Sequence, residues 1–282
     1  MAPGMLESVI NVSEGRRFDR LEVIARTAGA ELLDVHTDAD HHRSVLTVVG
    51  EDAARAIAAA TVMALDLGRH SGVHPRIGVL DVVPFVPLGD ATMADALAAR
   101  DRFARWAGAV LGVPCFLYGA LADGTERTLP EIRRRAFVDL EPDTGPARPH
   151  PTAGAVAVGA RPILVAYNLW LAEPDIDLAK SLARDLRGPA VRALGLEVGD
   201  EVQVSMNLIE PLIVGPASVF DTVAAVTPIE RAELVGLAPR VVLDDVDESR
   251  WASLDLALDA TIESRLERQG LVDREWRALR RD

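Results

Sequence analysis

The sequence predicts an α+β protein whose first part follows the split β-α-β pattern of ferredoxin-like sheets. Three observations indicate this fold. Apolar patterns occur in the order β-α-β-β-α-β followed by α-β, which is not the strict alternation of a doubly wound sheet. A stretch rich in proline and glycine, 141–152, then interrupts the order and fits no regular element. The 282 residues suffice for one large or two small domains, and we predict a second, smaller α/β unit from near residue 160.

The elements of the first part follow from hydrophobic periodicity. In the predicted helix 16–28, Leu21, Ile24 and Ala25 lie on one side. Thr128 and Glu131 have the spacing of a capping box, which predicts the start of a helix. In chain order, we predict a strand at 6–12, a helix at 16–28, strands at 31–35 and 44–49, a helix at 52–67, a strand at 77–86, a helix at 92–111 and a strand at 113–118.

The second part shows the same kinds of pattern after the irregular stretch. We predict a strand at 161–171, a helix at 176–186, a strand at 202–208, a helix at 219–226 and a short strand at 233–237. Trp251, Leu254, Leu258 and Ile262 recur at helical spacing. These four residues predict a final amphipathic helix.

Composition restricts the partners and the compartment of the protein. A formal net charge of -13 at pH 7 argues against nucleic acid or an anionic membrane as a partner. The longest apolar stretch, 153–172, contains Arg161 and Pro162 and should not span a membrane, and no signal peptide is indicated. Cys115 is the one cysteine, so an intramolecular disulfide is impossible and a reducing compartment is expected. We therefore expect a soluble cytoplasmic protein in which Cys115 is packed rather than catalytic.

All six histidines lie within the first 150 residues, so proton-transfer chemistry is expected there. A polar loop holds His70, His74 and Arg76 directly before the predicted strand 77–86. Rigid strand ends are good places to hold an acid–base group. His36, which ends a predicted strand, is a further candidate.

Two patterns could hold a metal ion. His70 and His74 are four residues apart, but Gly72 and Pro75 disfavour the helix on which this spacing forms a metal site. The other pattern reproduces no metal-site spacing and is typical of a solvated turn: Asp34, His36, Asp38, Asp40, His41 and His42. We therefore expect no bound metal, and a metal-dependent hydrolase is the least favoured function.

The segment 145–154 combines small residues, which let backbone approach a ligand closely, with prolines that stiffen it. It can be interpreted as a ligand-binding loop or as a linker between domains. Neither the phosphate-binding loop nor the dinucleotide fingerprint occurs in the sequence, and the Gly-x-Ser-x-Gly elbow of serine hydrolases is also missing.

Several segments, which occur in the same order along the chain, resemble the formiminotransferase domain of the formimidoyltransferase-cyclodeaminase family. The most specific are His74-Pro75-Arg76-Ile77-Gly78 with its following strand, and the segment 150–161, which begins His150-Pro151-Thr152-Ala153-Gly154. The matching segments are 11–16, 33–35, 43–47, 70–87, 127–133, 145–168, 203–208 and 233–237. The sequence after about residue 240 matches nothing in this family. No cyclodeaminase part follows, so we expect a stand-alone form.

This resemblance implies two ferredoxin-like subdomains, 1–160 and 161–282, with a ligand groove between them, in a homodimer. It implies an enzyme, a glutamate formimidoyltransferase of histidine degradation and one-carbon metabolism. The reaction transfers a formimino group from N-formimino-L-glutamate to N5 of tetrahydrofolate. Tetrahydrofolate is then the co-substrate, and no metal, nucleic acid or membrane is expected to take part.

The resemblance also implies roles for individual residues. His74 matches the family's catalytic histidine, and one imidazole can take a proton from N5 and return it to the leaving glutamate nitrogen. Asn11 and His36 lie at further active-site positions. Arg43 and Arg76 are candidates for binding the donor carboxylates. The folate-contacting loop corresponds to Gly145, Pro146, Arg148, His150, Pro151, Thr152 and Gly154. Because folate ends in glutamate carboxylates, we expect Arg148 to hold that tail or the donor carboxylates.

Several positions depart from the family pattern, among them Ile10 in place of a proline and Val12 in place of a phenylalanine. His36 stands where the family has a carboxylate associated with the active site, His42 replaces an asparagine, and Val73 replaces a glutamate. Loss of a carboxylate beside a catalytic histidine removes a group that could orient it and stabilise its charged form. Asp34, which strand alternation sends to the same face as His36, or Asp81 could take over this role. The main alternative is therefore a folate-binding relative that uses another one-carbon donor, such as 5-formyltetrahydrofolate, or that binds without turnover.

Overall fold

The structure is a computed structural model that describes residues 5–72, 75–273 and 275–279. A seven-stranded sheet and a four-stranded sheet, each accompanied by helices, confirm the predicted α+β fold. The chain divides into two compact units, of which the first ends at Pro162 and the second begins at Ile163. The assignment of 1–160 and 161–282 as formiminotransferase subdomains stays a prediction. Within the described residues, no helix combines the length and the apolar character needed to cross a lipid bilayer.

The first unit begins with the predicted β-α-β-β-α-β order and continues with further strands. Its elements are β1 (Met5–Val12), α1 (Phe18–Arg26), β2 (Leu32–Asp38), β3 (Arg43–Val49), α2 (Glu51–Ala64), β4 (Leu80–Leu88), α3 (Met93–Trp106), β5 (Cys115–Ala120), β6 (Glu126–Arg127), α4 (Leu129–Arg135) and β7 (Val156–Ala160). The predicted capping box forms at the start of α4, where the Thr128 and Glu131 side chains each accept a backbone N–H of the other residue.

The first four strands have the antiparallel order of a ferredoxin-like sheet, β2-β3-β1-β4. β7 then pairs in parallel with both β4 and β5, and β6 forms a short antiparallel pair with β5. The strand β7 was not predicted. All five of its residues are buried and small or branched, so the alternation that marks a half-exposed strand is missing.

Alternation along these strands gives the sheet two distinct faces. Val83 and Phe85 pack in the core formed with α1, α2 and α3, whereas Val82 packs with Ile132 of α4. We call the side of the sheet that bears Val82 the α4 face. Ile10 and Val12 of β1 belong to the opposite core, so Asn11 between them lies on the α4 face.

The second unit repeats the same topology on a smaller scale. Its elements are β8 (Val165–Leu171), α5 (Ile176–Leu186), β9 (Val191–Val198), β10 (Glu201–Leu208), α6 (Pro216–Ala224) and β11 (Ile229–Val235). The four strands are antiparallel in the order β11-β8-β10-β9, which is again ferredoxin-like. The predicted helix 176–186 is confirmed at both ends, whereas the sequence patterns do not predict strand β9.

The predicted amphipathic helix through Trp251 and Ile262 is wrong. Short 3-10 turns and irregular residues form this segment, and the helix α7 (Ile262–Arg268) begins only at its end. Asp255 has a left-handed backbone, with φ of 52°, and its carboxylate accepts the Leu234 N–H at 2.8 Å. An α-helix cannot continue through a left-handed residue, so this contact with β11 overrides the local periodicity.

Candidate active site

Asn11 and His36 lie on the α4 face of the first sheet, on either side of Val45. Asn11 of β1 is opposite Val45 of β3, and His36 of β2 is opposite the same residue from the other side. Directly paired residues of neighbouring strands point to the same side of a sheet. Two strand spacings place the Cα atoms of Asn11 and His36 about 10 Å apart. Asp34, opposite Thr47, is two residues from His36 on this face.

Asn11 offers a buried hydrogen-bond acceptor. Its side chain is largely enclosed, with 7% of the residue exposed, and its Nδ2 donates to the Val9 carbonyl at 3.0 Å. Its Oδ1 accepts no hydrogen bond from any residue that the structure describes. Because a buried acceptor without a donor costs about 1–3 kcal/mol, this atom is suited to receive an N–H group from a ligand.

Three arginines from separate elements lie close to Asp81 of β4. Arg133 of α4 donates to Asp81 Oδ2 at 2.7 Å, and Asp81 Oδ1 accepts the Ile77 N–H at 2.8 Å. Burial lowers the pKa of Arg43 to about 10. The negative charge of Asp81 opposes this decrease, and the positive charges of Arg133 and Arg76 add to it. We call Arg43, Arg76 and Arg133 with Asp81 the arginine cluster. Its surplus of positive charge favours an anionic ligand, above all a carboxylate.

His70 helps to orient Arg76. Its Nε2–H donates to the His42 carbonyl at 2.9 Å, and the Arg76 guanidinium donates to its Nδ1 and to the Gly72 carbonyl. Burial lowers the pKa of His70 to about 4, and the charges of Arg76 and His42 contribute to the decrease. A neutral ring with both nitrogens engaged positions its neighbours and does not relay protons.

The predicted acid–base residue His74 lies outside the described residues, together with Val73. The flanking residues are placed by specific contacts: Gly72 accepts a hydrogen bond from Arg76 at 2.7 Å, and Ile77 donates to Asp81. The role of His74 stays a prediction, as do those of Asn11, His36, Arg43 and Arg76.

Backbone hydrogen bonds join the predicted folate-contacting loop to the segment that follows Arg76. Ala155 donates to the Ile77 carbonyl at 2.9 Å, and Val79 donates to the Ala153 carbonyl at 3.0 Å. Gly154 has a positive φ of 73°, and a Cβ there would lie 2.3 Å from the Ile77 oxygen, so only glycine allows this approach.

Within this loop, the His150 side chain stabilises the turn by a hydrogen bond, and several other residues are exposed. His150 Nδ1 accepts the Ala153 N–H at 3.0 Å, and its backbone pairs with that of Gly154. This contact leaves Nε2 as the ring nitrogen that could face a ligand. The predicted ligand residues of the loop that lie at the surface are Gly145, Pro146, Arg148, Pro151 and Thr152. Their binding roles stay predictions.

Sequence reasoning assigned no role to Arg133 or to Glu14. Arg133 is the first of three consecutive arginines that follow a capping box, a pattern typical of the exposed side of a short helix. Its partner Asp81 is 52 residues away, a separation that no local pattern indicates. Glu14 is fully buried and is surrounded by hydrogen-bond donors. Its position among the segments that resemble the family, directly after Ser13, was the available signal.

The other groups that could take part in chemistry are clusters of metal ligands and the Cys115 thiol. In the part of the chain that the structure describes, no group of three or more His, Cys, Asp or Glu side chains is arranged to hold a metal ion. Cys115 is buried, and burial raises the pKa of its thiol to about 12. Such a thiol is not a nucleophile at neutral pH.

Comparison with known proteins identifies the family. Residues 5–161 match the family model described as "Formiminotransferase domain, N-terminal subdomain". A protein named glutamate formimidoyltransferase from Streptococcus pyogenes is 34% identical over 275 residues, which cover 86% of this chain and 92% of that protein. One of the same name from Thermoplasma acidophilum is 34% identical and is covered to 90%. The formimidoyltransferase-cyclodeaminase of Sus scrofa is 33% identical, and the match covers 51% of its length. The chain therefore belongs to the formiminotransferase family.

Proposed function

We propose that this protein is a glutamate formimidoyltransferase, which transfers a formimino group from N-formimino-L-glutamate to N5 of tetrahydrofolate. The observation that carries the proposal is the arginine cluster. The donor has two carboxylates, and guanidinium groups bind carboxylates through paired, charge-assisted hydrogen bonds. Arg43 also shares the α4 face with Asn11, since Val45, opposite Asn11, is two residues along β3. The buried Asn11 Oδ1 could accept an N–H of the donor's amidine.

The reaction exchanges one C–N bond for another. N5 of tetrahydrofolate attacks the amidine carbon and forms the new bond, N5 loses its proton, and the bond to the glutamate nitrogen breaks. That nitrogen gains a proton as glutamate leaves. We assign both proton transfers to His74, because an imidazole can act first as base and then as acid. Arg43 and Arg76 would hold the donor so that its carbon meets N5.

Tetrahydrofolate is the proposed co-substrate, and the loop 145–154 is its proposed contact. The residues fit an anionic ligand with a flat ring system. Arg148 is exposed and supplies a positive charge for the glutamate tail, and Pro146 and Pro151 present exposed apolar rings. Gly154 brings the loop backbone close to Ile77, next to Arg76 of the arginine cluster.

A second candidate function is a folate-dependent activity with another one-carbon donor, such as 5-formyltetrahydrofolate, or folate binding without turnover. The observation that favours it is His36, which stands on the α4 face where the resemblance leads us to expect a carboxylate. Asp34 on the same face could supply the missing charge, in which case the original donor is retained.

The test is a direct assay of the purified protein with each donor and isotopically labelled tetrahydrofolate as acceptor, so that mass spectrometry detects the group transferred to the labelled folate from either donor. We expect 5-formiminotetrahydrofolate from N-formimino-L-glutamate. His74→Ala should lower kcat by roughly 10²–10⁴ while folate still binds. His41→Ala, a nearby histidine outside the proposed site, serves as the control. Turnover of 5-formyltetrahydrofolate alone would support the second candidate, and near-wild-type turnover by His74→Ala would remove His74 from the mechanism.

We also propose that the protein acts as a homodimer in the cytoplasm, with no nucleic acid or membrane as partner and no metal. The acidic charge of -13 and the single cysteine support this setting. Light scattering of the purified protein tests the dimer, and fractionation of the source cells tests the location. A monomer, or recovery with membranes, would contradict the corresponding part.

A further inference from the structure

His42 lies between two hydrogen-bond acceptors. Its Nδ1 is 2.7 Å from the Ser71 carbonyl oxygen, and its Nε2 is 3.0 Å from Glu14 Oε1. A carbonyl oxygen and an ionised carboxylate have no hydrogen to give, so both ring nitrogens of His42 must carry one. The geometry therefore requires the imidazolium form of His42.

Glu14 is ionised in this arrangement. Its side chain is fully buried, yet its oxygens accept the backbone N–H groups of Arg16 and Arg17 at 2.9 and 3.0 Å and the Arg17 guanidinium at 2.7 Å. Burial alone would raise the pKa of Glu14, but these bonds and the one from His42 outweigh it and lower the pKa to about 2. The proton between Glu14 and His42 consequently belongs to His42.

His42 is also linked to Arg76. The His42 carbonyl accepts the Nε2–H of His70, and the two rings stack with centroids 4.0 Å apart and planes 18° apart. The Nδ1 of His70 accepts a hydrogen bond from Arg76. A continuous series of contacts thus connects the buried Glu14 to a guanidinium of the arginine cluster.

We propose that His42 is a positioning residue whose protonated ring holds Ser71 and, through His70, holds Arg76 ready for a donor carboxylate. This inference rests on the proposed function for the role of Arg76. Without a hydrogen on each ring nitrogen of His42, one nitrogen would be an acceptor that faces another acceptor, and the support of Arg76 would weaken. Asp38 and His41, which lie in the same turn as His42, are hydrogen-bonded to each other. The charged and titratable groups around His42 are Glu14, Arg17, His70, Arg76, Asp38 and His41.

The first test reads the protonation of His42 directly and needs no activity. Long-range ¹H–¹⁵N spectra of histidine-labelled protein at pH 7 should contain an imidazolium pattern that disappears in His42→Asn and remains in His41→Asn. A singly protonated pattern for His42 would overturn the proposal. Because this measurement uses no substrate, its outcome is independent of whether the proposed function is right.

The second test is kinetic. Asparagine tolerates the left-handed backbone of His42, with φ of 51°, but carries no charge. We expect His42→Asn to raise the KM for N-formimino-L-glutamate roughly tenfold at neutral pH, with the KM for folate nearly unchanged. The donor KM of His41→Asn should stay close to that of the wild type.

Two results would count against His42 as a positioning residue. A donor KM in His42→Asn close to that of the wild type would show that the charge of His42 has no part in binding the donor. Equal losses for donor and folate would indicate a general structural defect. Wild-type protein that turns over no formiminoglutamate would instead overturn the proposed function and the role of Arg76, while the spectra still decide the charge of His42.

Discussion

Arg133 of α4 donates a hydrogen bond to the Asp81 carboxylate of β4 at 2.7 Å, although 52 residues separate them. Asp81 is 2% exposed and also accepts the Ile77 N–H. The pair therefore fixes α4 on the sheet and places a positive charge beside Arg43. One ion pair thus contributes both to the stability of the first unit and to the charge of the candidate site.

Arg133→Ala should destabilise the protein and weaken donor binding. The buried Asp81 carboxylate would lose its guanidinium partner, at a cost of about 1–3 kcal/mol because Arg133 is itself partly exposed. The donor KM should rise as the arginine cluster loses one of its charges. Urea unfolding and initial rates at varied donor concentration measure the two effects.

Arg134→Ala is the matched control, since Arg134 is the next residue of α4 and is exposed. It should change the free energy of unfolding by less than about 0.5 kcal/mol and leave the donor KM unchanged. Equal effects of the two substitutions would show that the helix, and not the contact with Asp81, is responsible.

Arg148→Ala should weaken polyglutamyl folate more than a pterin without a glutamate tail. The reason is that the exposed guanidinium in the loop 145–154 is proposed to bind the tail carboxylates. Titration calorimetry with both ligands measures the difference, which we expect to be roughly tenfold in Kd for the tailed ligand. Arg105→Ala, at an exposed position of α3, is the control. Equal weakening of both ligands by Arg148→Ala would argue against a role in holding the tail.

The sequence predicts an element well where the interactions that fix its bounds join residues close together in the chain. Helix α5 has its predicted bounds because Asp175 caps its first turn and apolar residues recur at helical spacing. Strand β7 escapes prediction because it is buried on both faces and shows no alternation. The false helix near Trp251 arises because Asp255 bonds to Leu234, a contact between distant residues.

The candidate site likewise combines residues that sequence motifs indicate with one contact that they do not indicate. The motifs that resemble the family point to Asn11, His36, Arg43 and Arg76, and the register of β1, β2 and β3 puts the first two on one face. The pairing of Arg133 with Asp81 depends on the packing of α4 against the sheet, which no periodicity specifies.

The buried Glu14 should make stability fall in acid. The pKa of Glu14 is about 2 in the folded protein against 4.5 for an unperturbed glutamate. A carboxylate with a lowered pKa contributes stability that is fully present above about pH 4.5 and is lost as pH falls toward 2. In Glu14→Gln we expect a smaller decrease of the free energy of unfolding between pH 4.5 and pH 2, measured by urea titration at each pH.

Glu22→Gln provides a control at an exposed position of α1, where its partner Arg26 is also exposed. This variant should retain the acid dependence of the wild type. An unchanged slope in Glu14→Gln would mean that the contacts of Glu14 do not stabilise the folded state relative to the unfolded state.

His36→Asp restores the carboxylate that the resemblance leads us to expect at this position. The side chain is half-buried on the α4 face opposite Val45, so a smaller acidic residue should be accepted without loss of folding. If the original donor chemistry is retained, a fixed anion on the α4 face should stabilise the positive charge of the donor amidine and raise turnover of N-formimino-L-glutamate. The pH–rate profile should also become simpler, because one titrating group is replaced by a carboxylate that is ionised above about pH 5.

The comparison of pH–rate curves for wild type and His36→Asp decides this prediction, with circular dichroism used to verify that both are folded. Val35→Thr, on the exposed opposite side of β2, is the control and should leave the curve unchanged. Superimposable curves and equal rates for wild type and His36→Asp would show that residue 36 takes no part in the chemistry. A gain with N-formimino-L-glutamate, together with a loss of any activity toward 5-formyltetrahydrofolate, would identify residue 36 as the position that sets the choice of donor. That outcome is expected if the charge at this strand end discriminates between a cationic amidine and a neutral formyl group, since only the amidine gains from a neighbouring anion.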